Sequence, residues 1–358
     1  MSDVIVIGGG IAGISAAARL APDARVTLLE AEAALGFHAS GRSAALFEAN
    51  YGLPSTVALS RASAAYHHAA NGGYLTPRGF MVVARTGDEA ALAADMAALQ
   101  LRAITPAEAI ERLPILDPDK LGAAAFHEEA WDVDTDRMIQ DFARSLRAHG
   151  GAVQLSAPVT AISRTGGRWR VDTPQGAHEA DVVVNAAGAW VDRIAEMAGV
   201  APLGFTPRRR SMARLRAPGG HDVSGWPMTL GVAESWYCKP DAGALLVSPA
   251  DADPAEPHDA WADDMVLAEG LARYEAMVTE PVTRPLADWA GLRTFSPDGA
   301  LVIGCDPEMP QFFWCAGQGG YGFQTAPAAS RLAADLVTGR APEMDADAVA
   351  ALDPKRFA

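Results

Sequence analysis

Runs of consecutive apolar residues alternate along the chain with segments of helical periodicity, and the first thirty residues show the change of period most sharply. Val4 to Ile7 is a short β-branched run, the pattern of a strand buried on both faces. Gly8 to Gly13 reads as a turn, Ile11 to Leu20 has helical spacing, and Arg25 to Glu30 returns to strand, completing a βαβ unit. A small polar stretch, Gly36 to Ser43, then replaces the second helix. Ala-rich helices are predicted near Ser60 to Ala70 and Asp88 to Leu101. Another follows Asp134-Thr135, whose side chains can cap it, and ends near Gly150-Gly151. Buried-strand runs return at Ala152 to Leu155 and Asp181 to Asn185, the second leading through Gly188 into a helix from about Trp190. From Pro202 to Pro285 the chain is rich in Pro, Arg and Trp, with strand-like pieces at Ser235 to Lys239 and Leu245 to Ser248. Strands at Ala300 to Gly304 and Phe312 to Ala316 and an apolar-faced helix, Thr325 to Thr338, close the pattern.

The 358 residues suit two domains of about 150 each. No low-complexity linker separates them, so they are expected to interleave through discontinuous segments. The balance of 29 basic against 44 acidic residues, net −15, argues against a nucleic-acid partner and against a polybasic membrane anchor. Cys238, Cys305 and Cys315 form no C-x-x-C pair and no even framework, so disulfides and structural zinc are not expected. The apolar start carries Asp3 where a signal peptide has basic residues, and no run reaches the length of a spanning helix. A soluble, cytoplasmic protein is the expectation.

Gly8-x-Gly10-x-x-Gly13 carries the strongest local chemistry. Gly8 permits the tight turn, Gly10 lets backbone approach a pyrophosphate, and Gly13 allows the helix to pack closely on the strand. Phosphates would then lie at the helix N-terminus. Glu30, closing the next strand, suits the hydroxyls of a ribose. The third comparable strand, Val182 to Val184, lies far downstream, and the Gly36–Ser43 loop offers extra partners, which favours FAD over a nicotinamide cofactor. Gly317-Gln-Gly-Gly-Tyr-Gly322 precedes the last helix, where backbone could approach a flavin ring and the helix dipole could face it. Arg208-Arg209-Arg210 suggests an anion site in so acidic a chain. Other patterns fail: Asp132-x-Asp134-x-Asp136 lacks the glycine and glutamate of a calcium loop, adjacent His67-His68 cannot chelate from one helix face, and no G-x-S-x-G elbow occurs. No metal is expected.

With these residues in place the chain resembles the D-amino-acid oxidase superfamily of flavoproteins, and more narrowly the bacterial D-arginine dehydrogenases. The resemblance runs nearly end to end. It includes Gly8 to Glu30, Gly41-Arg-Ser-Ala-Ala45, Tyr51-Gly52, Pro77-Arg78, Val184 to Trp190, Arg209-Arg-Ser211, Glu234 to Gly243, Trp289 to Arg293, and Gln318 to Gly322 with Gln324-Thr325. It implies an α/β (overall α+β) architecture: a Rossmann-type FAD domain from residues 1–50, 137–200 and 290–358, interleaved with a substrate domain from 51–136 and 201–289 on a mixed, largely antiparallel sheet. The cofactor would be non-covalent FAD.

Carried over by position, cofactor contacts fall on Gly8, Gly10, Ile11, Ala12, Gly13 and Glu30, then on Gly41, Arg42, Ser43 and Ala44. Further contacts are Val159, Ala187, Gly188 and Trp190, and finally Gly319, Gly320, Tyr321, Gly322, Gln324 and Thr325. Arg210, Tyr237 and Arg293 would clamp a substrate carboxylate, since two guanidiniums and a phenol supply converging donors. Tyr51 would be the lid, while the Gly320 carbonyl and Gln324 hold the substrate amine. In the side-chain pocket Phe80 and Leu46 replace a Glu and a His of the arginine-oxidising relatives, and Glu48 replaces a neutral residue.

The implied reaction is oxidation of a free D-amino acid. Hydride leaves Cα for flavin N5, and the resulting imino acid hydrolyses to a 2-oxo acid and ammonia. Apolar side chains are expected to be preferred over D-Arg, and the electrons pass to a quinone-like acceptor or oxygen. The same fold also serves glycine- or sarcosine-type amines and 2-hydroxy acids. A flavin-carrying subunit of a larger complex is the non-enzymatic alternative.

Overall fold

The computed structural model describes residues 2–358. Two large sheets organise the chain. The first is six-stranded, in the order Val302–Cys305, Phe312–Ala316, Val182–Asn185, Asp3–Ile7, Arg25–Leu29, Ala152–Gln154. All neighbours are parallel except the outermost pair, Val302–Cys305 with Phe312–Ala316. Alternation along Asp3–Ile7 sends side chains to both faces. Val4 and Val6 pack with helices Ile11–Leu20, Thr135–Ala148 and Gly322–Thr338. Ile5 and Ile7 pack beneath a three-stranded meander, Ala161–Thr165, Arg168–Thr173 and Gly176–Ala180. The consecutive apolar residues of these strands follow from this double burial.

The second sheet has eight strands, ordered Ala287–Phe295, Thr206–Arg216, Ala244–Ser248, Tyr237–Asp241, Met228–Gly231, Phe80–Arg85, Leu121–His127, Arg102–Ile104. Only Met228–Gly231 and Phe80–Arg85 run parallel. Its two faces separate cleanly. Met81 and Val83 enter one apolar cluster, whereas Phe80, Val82 and Ala84 join Met212, Leu230 and Tyr237 on the face turned toward the first sheet's loops. The fold is thus the expected mixed α/β architecture, with a largely antiparallel second sheet.

Two stretches differ from the expected division. Strand Ala287–Phe295 lies wholly in the eight-stranded sheet, so a boundary at residue 290 would cut it. Its nine residues pair continuously with Thr206–Arg216, and that ladder keeps it whole. Helix Pro54–Ala69, assigned to the substrate side, packs along Gly322–Thr338 of the other half, with Leu59 fully buried there. Arg42 joins the halves: its Nη1 donates to the carbonyls of Ala260 and Ala290 (2.9 Å each), and its own carbonyl accepts from Trp289 Nε1 at 3.1 Å. Asp134 caps Thr135–Ala148 by accepting from Arg137 N at 3.1 Å, and Asp132 pairs with Lys239 at 2.8 Å. No helix among the described residues is long and apolar enough to cross a membrane.

Candidate functional site

The turn after Asp3–Ile7 is built by two glycines and opened by a third. Gly8 has φ +107°, and a Cβ there would strike the Ala186 carbonyl; a Cβ on Gly13 would overlap the Gly8 carbonyl oxygen. Gly10 is different. A Cβ there would meet only Ser40 Oγ, at 3.3 Å, so a concavity lies before the helix start. Ser40 Oγ accepts from Ile11 N at 3.0 Å, meeting one of the free N–H groups of the helix terminus. Glu30 accepts from Gly9 N at 2.5 Å and Glu32 N at 2.8 Å. Burial pushes its carboxyl above the ordinary carboxylate range, against the pull of those backbone donors.

A cavity of about 420 Å³ runs along this turn, lined by Gly8, Glu30, Val159, Ala187, Gly188 and Trp190 among others. A second, of about 180 Å³, is lined by Ile11, Ala12, Ser43, Ala44, Gly319, Gly320, Gly322 and Gln324 on the nucleotide side. Both include Gly10, Ser40, Arg42, Ala186 and Gly291, so they meet in front of the helix N-terminus. This is the shape of a dinucleotide site: an acidic acceptor at one end, a phosphate-sized gap at a helix start, and a glycine-paved end for a flat ring. Gly13, Gly41, Tyr321 and Thr325 line neither cavity. Gly41 N donates to the Gly36 carbonyl (2.6 Å) and shapes the loop, while Thr325 Oγ1 donates to the Tyr321 carbonyl (2.8 Å) in the first turn of the last helix.

Opposite the glycine-paved end, side chains of the eight-stranded sheet converge on the smaller cavity. Arg208 faces Arg293 across the ladder and Arg210 faces Gly291, so alternation puts Arg210 and Arg293 on one sheet face, with an open glycine beside Arg210. Arg210 Nε and Tyr237 Oη are buried and unpartnered, and Arg293 makes no hydrogen bond or ion pair among the described residues. Burial would lower the Arg293 pKa, but the surrounding Tyr237 and Tyr51 phenols and the Glu234 carboxylate outweigh it and raise it. Buried donors left unpaired are costly, so their convergence in a cavity calls for an acceptor from outside the chain. Tyr51 Oη donates to Glu234 Oε1 at 2.6 Å, and its ring lies 5.2 Å from that of Tyr321. Burial, with the Glu234 charge, drives the Tyr51 phenol well above its usual pKa. Gln324 Nε2 donates to the Tyr51 carbonyl at 3.3 Å. The remaining wall is mostly carbon, from Leu46, Phe80, Met212, Met228 and Leu230, with Glu48 beside Leu46 and Phe80.

The basic run requires a correction. Only Arg210 faces the cavity. Arg209 points to the other side of its strand, against Asp251 (3.2 Å) and Asp253 (3.1 Å), and Arg208 Nη1 donates to the Ala252 carbonyl at 3.1 Å. Sequence reasoning also left out Ser40, Glu234, His127 and Lys239. Ser40 lay within the polar loop already singled out. Lys239 was reachable by alternation from Tyr237, two residues away on one strand; it is buried, and its Nζ donates to the Ala44 and Ala45 carbonyls. His127 carries no local signal, since its importance arises only from pairing with Glu48.

Fold and cavities together have the form of a flavoprotein oxidoreductase, with a cofactor path that opens into a chamber lined by arginine and tyrosine. The chain belongs to the DAO family of FAD dependent oxidoreductases, whose pattern matches residues 3–336, and its cofactor is FAD. It is 26% identical over 359 residues to a glycine oxidase of Bacillus licheniformis, covering 94% of this chain and 93% of that one. It is also 26% identical over 274 residues to mitochondrial dimethylglycine dehydrogenase of Homo sapiens, covering 71% of this chain. The chain spans about a third (31%) of that longer protein's length. Among solved structures, L-proline dehydrogenase from P. horikoshii superposes with a TM-score of 0.83 at 22% identity, covering 99% of this chain and 97% of that one. Glycine oxidase from Geobacillus kaustophilus superposes at 0.81 with 24% identity, covering 96% and 97%. These likenesses support the superfamily; the narrower one to D-arginine dehydrogenases rests on the motif residues alone.

Proposed function

We propose that this chain oxidises a free α-amino acid of D configuration with an apolar side chain, the carboxylate being held by Arg210, Arg293 and Tyr237. The carrying observation is the convergence of these three side chains beside the glycine-paved end of the cofactor path: among the described residues Arg293 is unpaired, Arg210 Nε and Tyr237 Oη have no partner, and Arg210 Nη1 reaches only Glu234, at 3.9 Å. Two guanidiniums can take both carboxylate oxygens, and the phenol adds a further donor. Glu30 would take the ribose hydroxyls, the helix N-terminus at Gly10 to Ala12 the pyrophosphate, and Gly319 to Gly322 the ring. Bound FAD supplies a two-electron acceptor for the substrate's Cα–H.

The protein's own part is placement. The clamp fixes Cα, while the Gly320 carbonyl and Gln324 Oε1 accept from the amine and orient its lone pair. Tyr51 and Glu234 narrow the mouth of the cavity, and the amine proton passes out to solvent past the partly exposed Glu234. The product imine then takes up water to give a 2-oxo acid and ammonia. His67 is fully buried and His127 half-buried, and the ring nitrogens of both lie inside the protein, so neither is placed as the base a hydroxy acid needs.

A glycine- or sarcosine-type substrate is the second reading, favoured by the names of the relatives and served by the same clamp. One panel separates the readings. The holoenzyme is reduced anaerobically with D-Met, D-Leu, D-Phe, D-Arg, their L enantiomers, glycine and sarcosine, and bleaching of the flavin is followed. The apolar D-amino acids should exceed D-Arg in kcat/KM by roughly 10- to 150-fold, the cost of an unmatched cationic end. Glycine or sarcosine reacting fastest would transfer the assignment to the second reading.

A further inference from the structure

One charged side chain on the pocket wall has no place in this scheme. Glu48 lines the smaller cavity beside Leu46 and Phe80, yet only 2% of its side chain is accessible. Its Oε2 lies 2.8 Å from His127 Nε2, and its Oε1 accepts from Asn50 N at 2.9 Å. Neither atom has a partner of hydrogen-bond geometry among the described residues, so this close approach is the one polar contact that each makes there. His127 stands opposite Phe80 in the sheet ladder and stacks on it, ring centroids 6.0 Å apart at 23°. Phe80 therefore presents carbon to the cavity on one side and covers the Glu48 partner on the other.

We propose that His127 determines specificity by holding the Glu48 carboxylate inside the wall, so that an acidic residue borders the pocket without showing it a charge. The inference rests on the amino-acid reading above and extends it to the substrate's side chain. A carboxylate deprived of its buried partner is strongly disfavoured where it stands. The adjoining cavity is the nearest place where water or a cation can reach it. Without His127 the carboxylate turns into the cavity, which then favours a guanidinium or ammonium end.

Binding can be read apart from turnover with two carboxylates that lack the α-amine, hexanoate and 4-guanidinobutyrate, titrated against the holoenzyme by flavin fluorescence. Wild type should bind hexanoate more tightly. His127→Leu should move the affinity ratio toward 4-guanidinobutyrate by at least about tenfold, as expected for a charge-assisted hydrogen bond gained. His127→Gln, which retains a donor for Glu48, should keep the wild-type ratio, and Glu48→Gln added to His127→Leu should abolish the shift. Glu48→Gln alone covers the case in which His127→Leu does not fold: the ratio should change by less than about twofold, because the charge is already out of reach. A large loss of 4-guanidinobutyrate binding in Glu48→Gln alone would show that the carboxylate already faces the ligand and overturn the proposal, as would an unchanged ratio in folded His127→Leu. Failure of both carboxylates to bind any FAD-loaded variant, wild type included, would count instead against the clamp.

Discussion

The two cavities recognise their contents by opposite means. Around the larger one the chain uses mainly backbone: the turn at Gly8, the open face of Gly10 and a helix start, with the Glu30 carboxylate at its end. Around the smaller one it uses side chains drawn from strands far apart in sequence, Arg210 and Arg293 on adjacent strands and Tyr237 two strands away. Backbone recognition is written in short contiguous motifs, and errors in it should release the cofactor. Side-chain recognition is assembled by the sheet, and errors in it should leave the cofactor bound and the chemistry impaired.

The clamp should show the largest effect. Arg293→Met or Arg210→Met is expected to cut kcat/KM at least about 100-fold, since breaking a buried charge pairing costs about 3–5 kcal/mol. Flavin content, measured as the ratio of flavin to protein absorbance, should be unchanged; loss of flavin would erase the distinction between the cavities.

The next effect belongs to neither cavity directly. His67 is fully buried beneath the last helix, its Nε2 3.1 Å from the Gln324 carbonyl and its Nδ1 without a partner. Burial pushes its pKa down to about 4 from an ordinary 6.5. Between those values the unfolded chain binds the proton and the native one does not, so stability falls as pH drops through this window. The loss should reach about 3 kcal/mol and be smaller in His67→Gln, as followed by urea unfolding at pH 7 and pH 4. Equal pH slopes in the two proteins would refute the assignment.

Glu30→Ala should weaken FAD retention by about 1.5–3 kcal/mol, the range for a charge-assisted hydrogen bond, read as the FAD dissociation constant. In the reconstituted variant kcat should hold. The smallest effect is expected at Arg209→Met, one residue from the clamp but on the opposite face. It should lower Tm and leave kcat/KM within about threefold, in keeping with substitutions that touch no reacting group. A drop comparable to that of Arg210→Met would mean the two faces of this strand are not independent.

The same contrast explains what could be read from the chain. Gly8 to Glu30 was legible because strand, turn, helix and acceptor follow one another within thirty residues. Strands Phe80–Arg85 and Leu121–His127 were not read as such, although they lie side by side in the second sheet. Phe80 to Ala84 are all buried by elements from elsewhere, so their local pattern does not declare a solvent face. The short strands Leu46–Phe47 and Trp131–Val133 exist only by pairing with each other and with Leu75–Pro77. Glu48 could be named from its departure from the family pattern, but its direction could not, because His127 stands 79 positions away and declares no motif. Arg208 to Arg210 looked like one feature; strand alternation turns Arg209 to the other face, and Arg208, on the same face as Arg210, is held at the Ala252 carbonyl outside the cavity.

The order of strands in the first sheet also has a consequence for synthesis. Phe312–Ala316 lies beside Val182–Asn185, and Gly319 to Gly322 pave one end of the cofactor path. A nascent chain that has emerged only to residue 300 thus owns Gly8, Glu30 and four of the six strands of that sheet, but no floor for the flavin ring and no helix Gly322–Thr338 to cover Ile14. Contacts of such sequence separation form late and slowly. On the ribosome the eight-stranded sheet can assemble once its last strand, ending at Phe295, is out, whereas the older-looking N-terminal motif must wait for nearly the whole chain. Full enclosure of the cofactor should therefore wait until residues 302–338 have emerged, and the half whose signature is read first is completed after the other.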